Sequence, residues 1–206
     1  MIHVSEKADR KLIEYLSRLD SVSIVKSTDT VYPQVSSHPD IYMCSLDGRI
    51  ISAAEGELAY RYPGNCRFNA ACTGKYLIAN MDIISPRLKE AAASYEFIHV
   101  RQGYAKCNIA CIDETHIITS DEGIYLACRD RLDVLRIRSG HIILPGFNYG
   151  FIGGTCGRIG DRIIFNGKVT DHPDGREITE FIHGTGLELI EFDYPLTDIG
   201  SIIYER

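Results

Sequence analysis

Four stretches of this chain repeat one order of small, polar and large apolar residues. In the segments 41–51, 69–78, 108–118 and 153–164, small or apolar residues end in a cysteine (Cys44, Cys72, Cys111, Cys156). A polar turn follows, and a pair of large aliphatics closes each segment. Strand-like residues on either side of a turn containing Asp or Gly predict four β-hairpins. A fifth segment, 198–203, carries Ser201 where the others carry Cys. The recurrent cysteine is read as a small group packed near a common axis, because equivalent inner strands need small residues there.

Helix–strand pairs follow the hairpins. Ser85 and Pro86 mark a helix start, with Ser as N-cap and Pro at the first helical position. Leu88, Ala91, Ala92 and Tyr95 then fall at helical spacing, and 95–100 reads as a strand. Asp121 caps a short helix to about Cys128, before a strand at 132–137. Asp174, with Glu177 three residues on, gives a capping signature. Ile178, Phe181 and Ile182 form that helix's buried stripe, Gly184 ends it, and 187–192 is a strand. Near the start of the chain, Ser5 caps a helix with Ala8, Leu12, Tyr15, Leu16 and Leu19 on one face, and 21–25 follows as a strand. That pair completes the fifth unit, whose hairpin lies at the other end of the chain. Residues 53–64 are too short and too rich in Gly and Pro for a full helix. The expectation is an α/β chain of pseudo-fivefold ββαβ repeats, roughly 41 residues each, forming a single domain over 1–206.

Composition narrows the function. Lys and Arg number 22 against 28 Asp and Glu, for a formal charge of -6 with no basic run. That argues against nucleic acid and against anionic membranes as partners. No apolar run approaches a membrane span, and mean hydropathy is -0.08. Residues 1–16 scatter their charges and contain no apolar signal core, so a cytoplasmic protein is expected. The seven cysteines are odd in number and read as free thiols. Cys107 and Cys111 are spaced CxxxC with no second Cys or His pair to complete a zinc site, so neither metal nor cofactor is expected.

Five ββαβ units, the last completed by the N-terminal helix, resemble the pentein fold, the five-bladed α/β propeller of guanidino-group-modifying enzymes. The chain looks closest to a family of small uncharacterised bacterial pentein-like proteins. Three motifs carry the resemblance, in permuted order. His38-Pro-Asp40 through Asp47 is similar to the His-x-Asp segment that opens the catalytic-histidine hairpin. Gly103-Tyr-Ala-Lys-Cys107 is similar to the Gly-x-x-x-Cys segment of the nucleophile. Phe151-Ile-Gly153-Gly154-Thr155 is similar to the Phe-Glu-Gly-Gly-Asp substrate-binding segment. Enzymes of this fold use a Cys nucleophile, a His acid/base and carboxylates that hold the guanidinium. The resemblance thus implies Cys107, His38 and Asp198 as catalytic residues. It implies Asp40, Asn69, Asn108, Gly153 and Gly154 as substrate-binding residues, and a small cationic molecule as partner. Both acids of the substrate segment are replaced, by Ile152 and Thr155. A desolvated guanidinium needs matching negative charge, which leaves Asp40 and Asp198.

The residues support this chemistry unevenly. Cys107 lies off the repeat position and needs an electropositive setting to attack as thiolate. Lys106, on a strand, would point to the opposite face and serve poorly as activator. His38 precedes Pro39, which forces an extended backbone at a strand's start, and Asp40 would share its face two residues on. The second His-Pro-Asp, at 172–174, as well as His116 and His141, reads as structural. Two functions remain open: a Cys-dependent hydrolase or transferase acting on an amidino or guanidino carbon, and a catalytically inactive pentein-fold binding module.

Overall fold

The computed structural model describes residues 1–206. Its first strand, β1 (Ile2–Ser5), is followed by α1 (Arg10–Leu16) and β2 (Val22–Val25), which runs parallel to β1 with Ile2 opposite Val22. A one-turn helix, α2 (Pro39–Tyr42), leads into the antiparallel hairpin β3 (Met43–Leu46) and β4 (Arg49–Ser52). Asp47 and Gly48 make its two-residue turn, with φ of 51° and 89°. Positive φ at both positions marks the turn whose twist matches a hairpin, and Asp-Gly is a sequence suited to it.

Next come β5 (Ala71–Cys72), β6 (Tyr76–Ala79), α3 (Pro86–Ala91) and β7 (Glu96–His99). The short helix α4 (Ala105–Asn108) precedes β8 (Ile109–Cys111), β9 (His116–Thr119), α5 (Glu122–Cys128) and β10 (Asp133–Arg136). A 3-10 turn, Ile152–Thr155, precedes β11 (Cys156–Ile159), β12 (Arg162–Phe165), α6 (Gly175–Gly184) and β13 (Glu188–Ile190). The last strand is β14 (Ile203–Tyr204).

In three units a hairpin is joined by a third strand that returns parallel after the helix, giving the sheets β5-β6-β7, β8-β9-β10 and β11-β12-β13. The unit of β3 and β4 has only two strands, because 53–64 forms turns and bends instead of a helix–strand pair. The five inner strands touch in a ring: β3 with β5, β5 with β8, β8 with β11, β11 with β14, and β14 with β3. Apolar clusters fill the spaces between neighbouring sheets and under the helices. One joins Ile118, Ile163 and Phe165 to Ile178 and Ile182 of α6. Another joins Ile2 and Val4 to Leu12 and Leu16 of α1. No helix is long and apolar enough to cross a membrane.

The structure corrects several local expectations. The fifth antiparallel pair is not a hairpin: β14 pairs with β1, from the opposite end of the chain, with Ile2 opposite Tyr204. Ser5 therefore ends a strand instead of capping a helix. The 2–5 stretch buries Ile2 and Val4 completely and pairs on both sides, which outweighs a cap. The cap of α1 is Asp9, whose carboxylate accepts from Lys11 N at 2.8 Å. Asp121 caps α5 as expected, accepting from Ile124 N at 2.9 Å. Ser85 and Asp174 occupy cap positions without side-chain capping bonds. Charged partners claim both: Ser85 Oγ donates to Glu57 Oε1 at 3.0 Å, and the Asp174 carboxylate accepts from Arg138 Nε and its backbone N.

The repeat cysteines Cys44, Cys72, Cys111 and Cys156 line one central cavity of ≈ 450 Å³, with Lys106 in its wall. All seven cysteines are free. Burial pushes the thiols up, Cys111 to about 11 and Cys66, Cys128 and Cys156 to about 12. In the unfolded chain these thiols lose their protons near pH 8.5. The folded state therefore binds more protons above that point, and stability must fall as pH rises from about 9 toward 12. Urea midpoints are expected to be flat from pH 6 to 8 and to drop steeply by pH 10.5. The slope approaches about 1.4 kcal/mol per pH unit for each thiol held protonated. Replacing Ile2 by Ala, at the junction of β14, β1 and α1, is expected to cost about 2–4 kcal/mol in the same experiment. Arg10→Ala on the exposed face should cost under about 0.5 kcal/mol.

Candidate active site

Each inner strand is preceded by a turn, and these turns build the site. The turn before β3 is α2, with His38 as its N-cap and Asp40 in its first turn. The turn before β5 carries Asn69. The turn before β8 is α4, with Lys106 and Cys107 inside it. Ile152–Thr155 precedes β11, and 198–201 precedes β14. His38 keeps the extended backbone that Pro39 imposes (φ -73°, ψ 118°), but the chain then turns helical instead of entering a strand. Lys106 likewise sits on a helical turn, so it does not point away from Cys107's surroundings as a strand neighbour would.

Asp40 is the centre of the cluster. Its Oδ2 accepts from Cys107 Sγ at 3.0 Å and from Ser201 Oγ at 2.8 Å. Asn69 clamps the helix that carries the thiol: its Oδ1 accepts from the backbone N of Lys106 (2.8 Å) and of Cys107 (3.2 Å). Its Nδ2 donates to Cys107 Sγ (3.2 Å) and to the Asp40 carbonyl (3.1 Å). Lys106 Nζ donates to Ser201 Oγ at 3.0 Å and to the Gly153 carbonyl at 3.3 Å. Asp198 accepts from Phe151 N at 2.9 Å and Gly200 N at 3.0 Å, and its Oδ1 lies 3.8 Å from His38 Nδ1.

None of His38, Asp40, Asn69, Cys107, Asp198 and Ser201 is more than 3% exposed. Both ring nitrogens of His38 and Oδ1 of Asp40 have no hydrogen-bond partner. Each unpaired buried polar atom costs about 1–3 kcal/mol, so the cluster is held together at a cost to stability. Burial pushes the Cys107 thiol well above its ordinary value, and the charges of Asp40 and Asp198 add to this. Burial also raises Asp198, against the opposing pull of His38 and the two backbone N–H groups.

Close packing at the site depends on glycine. A Cβ on Gly154 would lie 2.0 Å from Asp198 Oδ1, and one on Gly200 would lie 2.1 Å from His38 Cβ. One on Gly153 would lie 2.2 Å from the Lys106 carbonyl. Gly153 and Gly154 thus admit the turns of the cluster to one another, and Gly153 adds a carbonyl acceptor. Asn108 is not brought in: its amide turns back to the Tyr104 carbonyl at 3.0 Å. Ile152 is buried in the core, and Thr155 Oγ1 donates to the Ile152 carbonyl at 2.7 Å. The other histidines stand apart. His172 faces His141 edge-on at 5.4 Å, and His116 is held by Asp113.

Sequence reasoning set Lys106 aside as a strand neighbour facing away, and it noted Ser201 only as the exception to the repeat cysteine; the structure brings both into the site. Ser201 announces itself as the polar substitute at a position otherwise held by Cys. Lys106 sits in a helix of four residues, too short to leave a periodic signal.

A ring nitrogen of His38, an oxygen of Asp40 and the sulfur of Cys107 lie within 4.8 Å of one another, a spacing that a metal ion could bridge. The sulfur already has two partners, Asp40 and Asn69, so the cluster is read here as a thiol with its proton partners.

A family model described as a family of unknown function, DUF6873, matches residues 49–203. No curated protein matches. Among solved structures, the chain is similar to a dimethylarginine dimethylaminohydrolase, crystallised as an adduct with 4-chloro-2-hydroxymethylpyridine. The TM-score is 0.54 and the identity 13%, over 93% of this chain and 91% of that one. At that identity the likeness shows the fold, and it agrees with the pentein resemblance of the repeats. Gly154→Ala is expected to push Asp198 off His38 and lower stability by about 1–3 kcal/mol, read from urea unfolding. A wild-type midpoint would mean that the Asp198 contact is loose.

Proposed function

The chain belongs to DUF6873, and from the site it folds we propose that it is a Cys/His-dependent hydrolase acting on an amidino or guanidino carbon of a small molecule. The observation that carries this reading is the convergence of Cys107, His38, Asp40 and Asp198 from three separate units, with Cys, His and Asp40 donor atoms inside 4.8 Å. The ring of inner strands supports reading the five sheets as blades of a single five-bladed propeller domain over 1–206. Seven free thiols fit a reducing, cytoplasmic setting.

In the proposed reaction Cys107 gives its proton to the carboxylate it already touches, and the sulfur attacks the planar carbon. His38 protonates the leaving amine as the C–N bond breaks, leaving the carbon bonded to sulfur. His38, now neutral, takes a proton from water, whose oxygen displaces the sulfur, and Asp40 returns its proton to that sulfur to restore the thiol. His38 enters the cycle as the imidazolium, beside the Asp198 carboxylate, and the water step regenerates that form. Asp40 and Asp198 are the carboxylates left to draw in a cation, since 152 and 155 present no acid; once Asp40 has taken the thiol proton, Asp198 carries that charge alone. A cationic ligand would also favour the thiolate that the resting site suppresses.

One observation favours the binding-module reading instead: the resting thiol is sealed and held protonated. Incubation with 2-chloroacetamidine, an amidine carrying a leaving group, separates the two. The hydrolase reading expects one adduct, mapped to Cys107. His38→Ala should slow any measured turnover by about 10²–10⁴-fold, the usual weight of a general acid/base. Adducts on Cys66 or Cys128 with Cys107 untouched would favour the binding module.

A further inference from the structure

Lys106 takes no part in the reaction above, yet the structure ties it to the nucleophile. Lys106 lines the central cavity, and its ammonium gives two of its three N–H donors to the Gly153 carbonyl and Ser201 Oγ. The Ser201 hydroxyl has one proton and two acceptors in reach, Asp40 Oδ2 at 2.8 Å and the Gly153 carbonyl at 2.9 Å. The carbonyl already accepts from Lys106, which leaves the proton for Asp40 Oδ2, the same oxygen that accepts the Cys107 thiol proton. One hydrogen-bonded line therefore runs from Lys106 through Ser201 and Asp40 to Cys107, with steps of 3.0, 2.8 and 3.0 Å.

Ser201 holds its place in that line at φ 72°, a left-handed backbone that residues with a side chain adopt at a cost, and it is fully buried. Glycine would suit that backbone better, so it is the hydroxyl that distinguishes serine here. Burial works against the Lys106 ammonium, and since the thiols around it keep their protons, Asp40 is the neighbouring anion that favours its charge, beside the acceptors Ser201 Oγ and the Gly153 carbonyl.

We propose that Lys106 is a positioning residue for Cys107. Its charge, carried through the Ser201 hydroxyl, holds the Asp40 carboxylate in place as the thiol's proton partner. The reactivity of Cys107 is thereby set before any ligand binds. This rests on the reading of Cys107 as nucleophile, but its test uses no substrate, so its failure and that of the hydrolase reading are distinguishable.

The test is the rate at which methyl methanethiosulfonate, a small neutral thiol reagent, modifies Cys107 in the full chain. Peptide mass mapping reads it, with buried Cys128 as internal reference. Ser201→Gly removes the hydroxyl while suiting φ 72°, and Lys106→Met removes the charge. Both are expected to slow Cys107 roughly tenfold relative to Cys128, the weight of one charge-assisted hydrogen bond. In Lys106→Ala, added ethylammonium should restore the rate and 1-propanol should not, because a role in packing alone would answer to either. Wild-type ratios in both Ser201→Gly and Lys106→Met would overturn the proposal, as would equal rescue by the alcohol. If Lys106→Met loosens the fold and speeds both cysteines, the Ser201→Gly ratio decides.

Discussion

The site depends on keeping one carboxylate out of water. Asp40 is fully buried, and a carboxylate in that position needs donors to replace its lost hydration. Cys107 and Ser201 supply two of them to a single oxygen, and they come from different units of the fold. Satisfying Asp40 therefore fixes how three turns stand relative to one another. Asn69 adds a fourth turn by holding both the sulfur and the backbone N–H groups of α4. The fifth enters through the Gly153 carbonyl, which accepts from Lys106.

Such convergence needs turns that approach more closely than side chains normally allow. Gly153, Gly154 and Gly200 make the approach possible, since a methyl group on any of them would overlap a carbonyl, a carboxylate or the His38 side chain. The central cavity obeys a similar constraint one layer away. Small residues at the start of the inner strands leave ≈ 450 Å³ open, and Lys106 lines that space while its ammonium bonds to Ser201 Oγ.

The resting charge state follows from the same geometry. Two carboxylates beside a buried thiol favour S–H over thiolate, while the nearby ammonium acts the other way. Fold and chemistry remain separate claims. Likeness to a dimethylarginine dimethylaminohydrolase at 13% identity supports the architecture, whereas the chemistry rests on which side chains meet at the turns.

The sequence by itself determined the units. Hairpins at Cys44, Cys72, Cys111 and Cys156, the helices after Ser85, Asp121 and Asp174, and the interruption at 53–64 were all legible, because side-chain period and turn chemistry are local. His38, Cys107, Asp40 and Asp198 were legible as chemistry-bearing residues through the resemblance of their motifs, with Cys107 off the repeat position. What only the tertiary structure decided was how those positions meet. The pairing of β1 with β14 joins the two ends of the chain, and no local pattern encodes a partner 200 residues away. The one-turn helices that carry Asp40, Lys106 and Cys107 are too short for a periodic signal, and packing against Asn69 and the glycine turns selects them over continued strand. The role of Lys106 followed from that choice: a strand would have aimed its ammonium away from the site, while a single helical turn lets it reach Asp40 through Ser201.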